Sequence, residues 1–122
     1  AMLRGLPVKR DVKPGVKVAL DPTLADVLVS NLVRNAIRHN QEDGAIKVHL
    51  DHKGLIIRNT GAAPTIPTRD LFKRFRKNQQ SEKSMGLGLA IVKKICDTNR
   101  LSVNYDFQDG WHEISVIFPT NV

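Results

Sequence analysis

The sequence predicts an α+β fold, a two-layer α/β sandwich whose mixed, mostly antiparallel sheet is covered on one face by helices. Three observations lead there. Two stretches, 22–39 and 86–97, carry apolar residues at helical spacing. The run 46–50 alternates with period two, 55–59 reads as its returning strand, and 101–107 with 112–118 as a last hairpin. The strands come as hairpins separated by the helices, so that strands form one layer and helices the other.

The elements follow in order. Residues 3–13 alternate loosely and predict an edge strand over 6–12, and Pro14-Gly15 reads as a turn into a short strand at 16–20. Asp21-Pro22 is a helix start, with Asp as the cap and Pro at the first helical position. That helix runs to about His39 and ends in the polar segment 40–44. Lys53-Gly54 joins the strands 46–50 and 55–59. Residues 60–68 hold Gly61, Pro64 and Pro67 and read as loop. A short helical turn follows at 70–75 with Leu71, Phe72 and Phe75 inward, then a polar segment at 77–84. The second helix opens at Gly86. The last hairpin turns at Asp109-Gly110 and is closed by Pro119.

The chain has 122 residues, 41% hydrophobic and 25% charged, which suits one globular domain with one modest core, spanning 1–122. No apolar run approaches the roughly 18 residues of a membrane span, and the start has no apolar leader segment. Ala1 ahead of Met2 reads as a cloning remnant on a piece excised from a longer protein. Cys96 is the only cysteine, so no disulfide forms within the chain, and its place in a helical pattern makes it core or helix-flank filler. The net charge is +7. Between Arg69 and Lys94 eight basic residues face only Asp70 and Glu82, which favours an anionic partner, although a solvated surface explains such a run as well. With 5% aromatic residues there is little surface for stacking bases, and nucleic acid is not expected as a partner.

Two separated segments carry the chemistry. On the first helix Asn31, Asn35 and Arg38 share a face with Leu24, Val27 and Leu28 upstream. The stripe is apolar at its start and polar at its end, as where a helix leaves a core to line a cleft. Carboxamide oxygens are hard, neutral ligands suited to Mg²⁺ that already carries phosphate oxygens and water, and Arg38 can hold a phosphate. The same asparagines could equally cap loops or bond each other. The second segment, Gly86-Leu87-Gly88, puts two glycines at a helix mouth, where unpaired amides attract anions. Taken alone it is also a plain helix entrance. At the end of a strand, Asn59 offers a polar side chain to a base edge and Gly61 permits close approach. The four histidines lack metal-ligand spacing, and no phosphate-binding Gly-x-x-x-x-Gly-Lys run is present.

In this order the pieces resemble the ATP-binding catalytic domain of bacterial sensor histidine kinases, which has the Bergerat-type fold. The resemblance covers about 22–119. The segment from Asn31 to His39 is similar to the family's N-box, 71–75 to its F-box, and 86–92 to its second glycine box. The resemblance implies ATP and Mg²⁺ as cofactors. It implies Asn35 as the metal ligand, Asn31 in support, and Arg38 and His39 near phosphate. Asn59 and Gly61 would lie at adenine, and Gly86, Leu87 and Gly88 at the phosphates. Arg76 and Lys77, with Lys83, would screen phosphate charge from a lid over 76–85. One departure stands out: the first glycine box normally begins with Asp and has a second glycine, where this chain has Asn59 and Ala63. Asn59 keeps a carbonyl acceptor but loses the charge.

The implied activity is donation of the γ-phosphoryl group of Mg·ATP to a histidine on a separate dimerisation domain, in two-component signalling with a downstream response regulator. No histidine here sits in an acceptor setting, so the isolated chain is expected to bind nucleotide with little or no turnover. It is expected to be a monomer, from a homodimeric parent anchored in the bacterial inner membrane with this domain in the cytoplasm. The alternatives are a degenerate interaction module of the same fold and an anti-sigma-factor-like serine kinase.

Overall fold

Alternating inward and outward residues build the sheet, and two amphipathic helices close one of its faces. The computed structural model describes residues 2–73 and 87–119. The elements are β1 (Met2–Leu3), β2 (Leu6–Val12), α1 (Pro22–Arg38), β3 (Ile46–Asp51), β4 (Gly54–Thr60), a 3-10 turn (Thr68–Phe72), α2 (Leu87–Thr98), β5 (Ser102–Gln108) and β6 (Trp111–Ile117). The six-stranded sheet has the order β1-β2-β3-β4-β6-β5. Only β2 and β3 are parallel, which requires the crossover that α1 supplies, and every other pair is antiparallel. The predicted α+β sandwich is therefore the observed architecture.

The core lies between sheet and helices. Leu28, Leu32 and Ala36 of α1 and Leu89, Val92, Ile95 and Cys96 of α2 pack onto Ile46, Ile57, Ile114 and Val116. Along β6 the inward phase is His112, Ile114, Val116, and along β4 it includes Ile57 and Asn59. The strand period thus carries two polar side chains to the helix-covered face. Asn59 and His112 are directly paired across β4 and β6.

Three sequence expectations change. Residues 16–20 form no strand, because they carry the chain from the sheet to the start of α1 and pack Val18 and Leu20 against the core on the way. Ahead of β2 lies the two-residue β1, joined by a turn with Arg4 at φ 52 and Gly5 at φ 79, so β2 is an edge only from Val8 onward. Val27, expected in the apolar stripe of α1, is 37% exposed: the buried stripe runs through Leu28, Leu32, Asn35 and Ala36. The last hairpin turns as expected. Asp109 (φ 54) and Gly110 (φ 83) both take the left-handed conformation of a two-residue turn matched to strand twist. Phe75 and the segment 76–85 lie outside the described residues.

Candidate functional site

Asp21 launches α1 by accepting hydrogen bonds from the amides of Thr23 (3.0 Å) and Leu24 (3.3 Å), with Pro22 at the first helical position. This start fixes the rotation of the helix and hence the placing of its asparagines. Asn35, near the C-terminal end, is 7% exposed and lies in the buried stripe. Asn31 sits one turn earlier at the margin of that stripe, and its Nδ2 donates to the Val27 carbonyl at 2.8 Å. The two asparagines therefore neither cap a loop nor bond each other. Arg38 is exposed and makes no ion pair among the described residues. His39 caps the helix. Desolvation of its ring, with the neighbouring Arg38 charge in support, holds its pKa below the ordinary histidine value, so it is neutral near pH 7 although the residue as a whole is exposed.

The glycine segment of α2 comes to this helix. A Cβ added at Gly88 would stand 3.2 Å from Asn31 Oδ1, so the second residue of α2 lies directly against the Asn31 amide. Leu87 and Gly88 are thus brought beside Asn31. Gly86, Arg76 and Lys77 lie outside the described residues. Of the basic residues between Arg69 and Lys94 that are described, Lys73 pairs with Asp70 and Lys93 with Asp97, both at 2.9 Å. These pairs neutralise part of the charge expected to be free there.

The third piece enters from the sheet. Asn59 is 2% exposed, and its Nδ2 donates to the Thr60 carbonyl at 2.9 Å. A carbonyl can only accept, so the NH2 end is fixed and Oδ1 is the end left to receive a donor. Gly61 follows. A Cβ there would collide with the carbonyl oxygen of His39 and come within 3.2 Å of the His112 ring, so the loop after β4 is seated on the C-terminal end of α1. Its amide donates to the Gly110 carbonyl at 3.2 Å. Asn31, Asn35, Arg38 and His39 on α1, Leu87 and Gly88 on α2, and Asn59 with Gly61 at the end of β4 are brought to one side of the fold.

Four further residues shape this region. Asn40 Nδ2 donates to Ala45 O (3.0 Å) and its Oδ1 accepts from the Thr60 hydroxyl (2.6 Å), which ties the turn after α1 to the end of β4. Beneath Asn35, the Tyr105 hydroxyl is 2.8 Å from His112 Nδ1, and His112 Nε2 is 2.8 Å from the Ala62 carbonyl. Burial pushes the Tyr105 pKa up to about 12, partly opposed by the Asn35 amide beside it. The Asn35 NH2 is nevertheless buried without a directed hydrogen bond. The signal for His112 and Tyr105 was present in the strand phase: each shares its inward register with apolar residues.

A separate groove of about 430 Å³ opens on the uncovered face of the sheet, lined by Lys9, Asp11, Lys47, His49, Ile56 and Arg58 among others. It shares no residue with the asparagine–glycine region. Its charges are largely paired, with His49 between Asp11 and Asp51 at 2.9 Å each and Arg58 on Glu113 at 2.6 Å.

Comparison with known proteins gives this arrangement its class. The family profile of the histidine kinase-, DNA gyrase B- and HSP90-like ATPases matches residues 20–121, and the chain belongs to that family. Within it the similarity runs to sensor kinases. The chain is 34% identical over 86 residues to the sensor protein QseC of Salmonella typhi, covering 69% of this chain and 19% of that protein. It is 36% identical over 83 residues to the heme sensor protein HssS of Staphylococcus aureus (strain JH9), covering 63% of this chain and 18% of that one. The chain thus spans about a fifth of the curated relatives it matches. Its fold is similar to the catalytic domain of histidine kinase ThkA, with a TM-score of 0.77 and 24% identity over 93% of this chain and 78% of that one. It is also similar to the mycobacterial sensor histidine kinase MprB, with a TM-score of 0.75 and 26% identity over 93% and 83% of the two chains. Among the described residues no helix is long and apolar enough to cross a membrane.

Proposed function

We propose that this chain, as one whole domain, binds Mg·ATP and presents its γ-phosphoryl group to a histidine on a separate dimerisation domain of the same protein, for later passage to a response regulator. The observation that carries the reading is the meeting of Gly88 with Asn31, one turn from the buried Asn35, which joins the two chemistry-bearing segments of the sequence.

The residues fit a metal-bound nucleotide. Among the described residues no group of three or more His, Cys, Asp or Glu side chains could hold a metal. Mg²⁺ does not need one when phosphates and waters fill most of its coordination sphere. Asn35 would supply one neutral oxygen, with Asn31 in support. When bound, Mg²⁺ offsets charge on the phosphates. Arg38, exposed and unpaired among the described residues, can reach an outer phosphate oxygen. His39 is kept neutral and serves as a hydrogen-bonding neighbour, not as a charge. Leu87 and Gly88, with Gly86 before them, would offer backbone amides to the phosphates, and Arg76 and Lys77 would add positive charge. With its NH2 held by the Thr60 carbonyl, Asn59 would offer Oδ1 as an acceptor to the amino group of adenine, and Gly61 would let the base approach the backbone. Phosphoryl transfer asks the protein mainly for positioning and charge stabilisation, and this chain offers both without a nucleophile of its own.

The direct test supplies the chain with Mg·ATP and the phosphoacceptor domain of its parent in trans. The expected product is an acid-labile, alkali-stable phosphoramidate on that domain, with little turnover when the acceptor is left out. An acid-stable phosphoserine would favour the serine-kinase alternative. Failure to bind ATP at all would favour the interaction module.

A further inference from the structure

We propose that Tyr105 and His112 are positioning residues for the Asn35 carboxamide: they set which end of the amide faces the phosphate site and tie it to the loop that follows Asn59. The proposal rests on the nucleotide reading and adds two residues to it.

A backbone carbonyl can only accept. Ala62 O lies 2.8 Å from His112 Nε2, so that nitrogen carries the proton. In a neutral imidazole Nδ1 is then a bare acceptor. The Tyr105 hydroxyl, 2.8 Å from Nδ1, must donate to it. With its one proton committed, the phenol oxygen can only accept from any other neighbour. That neighbour is the Asn35 amide, whose side chain lies within hydrogen-bonding range of the Tyr105 hydroxyl.

An amide offers hydrogens only from its NH2 end. The Asn35 NH2 is the buried end that has no directed bond among the described residues. Leaving a buried donor unpaired is unfavourable, and the Tyr105 oxygen is the acceptor placed to relieve it. NH2 toward Tyr105 leaves Oδ1 toward the opening, and a metal takes the oxygen, not the NH2. The polarity of the whole series, from Ala62 through His112 and Tyr105 to Asn35, is dictated by one carbonyl.

The rings are held in place by packing. Tyr105 stands edge-on to Phe72 at 6.2 Å and to His112 at 5.7 Å, and Phe107 lies 4.7 Å from His112. Four elements therefore meet under one carboxamide: α1, the 3-10 turn, β5 and β6. Displacement of the loop at Gly61-Ala62 would release His112, and with it the orientation of Asn35. Groups that support a metal ligand in this way are worth about 10–100-fold in metal affinity.

The test is calorimetric titration of the chain with ADP, once in EDTA and once in Mg²⁺. The proteins are the unaltered chain, Tyr105→Phe, His112→Gln, Asn35→Ala and the Asn35→Ala/Tyr105→Phe double variant. The expected result is that Tyr105→Phe and His112→Gln lose about tenfold or more of the gain in affinity that Mg²⁺ brings, with the EDTA affinity little changed. In the Asn35→Ala background Tyr105→Phe should remove nothing further. Nitrogen-15 spectra should show His112 as the neutral Nε2–H tautomer. An undiminished Mg²⁺ gain in Tyr105→Phe, equal losses with and without Mg²⁺, or an Nδ1–H tautomer would each overturn this proposal alone. No ADP binding by the unaltered chain in either condition would overturn the nucleotide reading, and this proposal with it.

Discussion

Gly88→Ala sets the stability of the fold against the function of the site. Ala is favoured over Gly in a helix by up to about 1 kcal/mol, and Gly88 is the second residue of α2. The added Cβ would stand 3.2 Å from Asn31 Oδ1 and 3.9 Å from its Cγ, the first of these a few tenths of an ångström inside ordinary contact. Asn31 cannot yield freely, because its NH2 holds the Val27 carbonyl at 2.8 Å. Breaking that bond would cost about 1 kcal/mol net. The two effects nearly cancel, so the variant should unfold within about 1 kcal/mol of the unaltered chain, a shift in Tm of under roughly 4 °C. Nucleotide affinity should behave differently. The methyl group enters the space between the α2 amides and Asn31, and one hydrogen bond to a charged phosphate is worth about 1.5–3 kcal/mol. The expected loss is about ten- to a hundredfold in Kd for ADP with Mg²⁺. Urea unfolding measures the first quantity and calorimetry the second. Unchanged affinity with unchanged stability would refute the placement of phosphate at this helix mouth, and loss of more than about 3 kcal/mol of stability would refute the cancellation.

Three more outcomes follow from the same geometry. Asn59→Asp puts a carboxylate oxygen where an NH2 now meets the Thr60 carbonyl, and should cost about 1–3 kcal/mol at pH 7. Burial and that carbonyl raise the folded pKa of the new carboxyl, so the deficit should shrink as urea midpoints are taken toward pH 4.5. Gly61→Ala drives a methyl group at the His39 carbonyl and should cost about 1–3 kcal/mol, visible as a lower urea midpoint. On the uncovered face, hydrogen bonds that His49 donates to Asp51 and then to Asp11 raise its pKa, while Asp51 is lowered to about 2, first of all by His49. The His49 contribution is complete below about pH 6.5 and is lost as pH rises through its raised folded value. The Asp51 contribution is present above about pH 4 and is lost as pH falls toward 2. Tm measured against pH should therefore fall from pH 6 to 8 more steeply in the unaltered chain than in His49→Asn.

The elements that sequence made legible are those whose pattern is local. Asp21-Pro22 marks a helix start whatever surrounds it, and the runs read as the two hairpins became strands with boundaries shifted by a residue or two. Residues 16–20 misled because Val18 and Leu20 alternate for a reason other than pairing, namely to pin a crossover segment to the core. Within the site, Asn31 and Gly88 could be named separately, yet their contact joins segments more than fifty residues apart and no local pattern encodes it. His112 was read for metal-ligand spacing, and the more telling fact was its phase: it shares the inward register of β6 with Ile114 and Val116. A polar residue in that register needs an internal partner, and which partner depends on the β5 pairing and on the loop after β4.

The most direct test of the account is a thermal-shift titration of the chain with ADP, with and without Mg²⁺, beside Asn35→Ala. At a hundred times the dissociation constant a ligand stabilises by about 2.7 kcal/mol, roughly 10 °C for a domain of this size. The account predicts a shift of that order that grows with Mg²⁺ in the unaltered chain and loses its Mg²⁺ dependence in Asn35→Ala. No shift at millimolar nucleotide, or an Asn35→Ala response to Mg²⁺ equal to that of the unaltered chain, would contradict it.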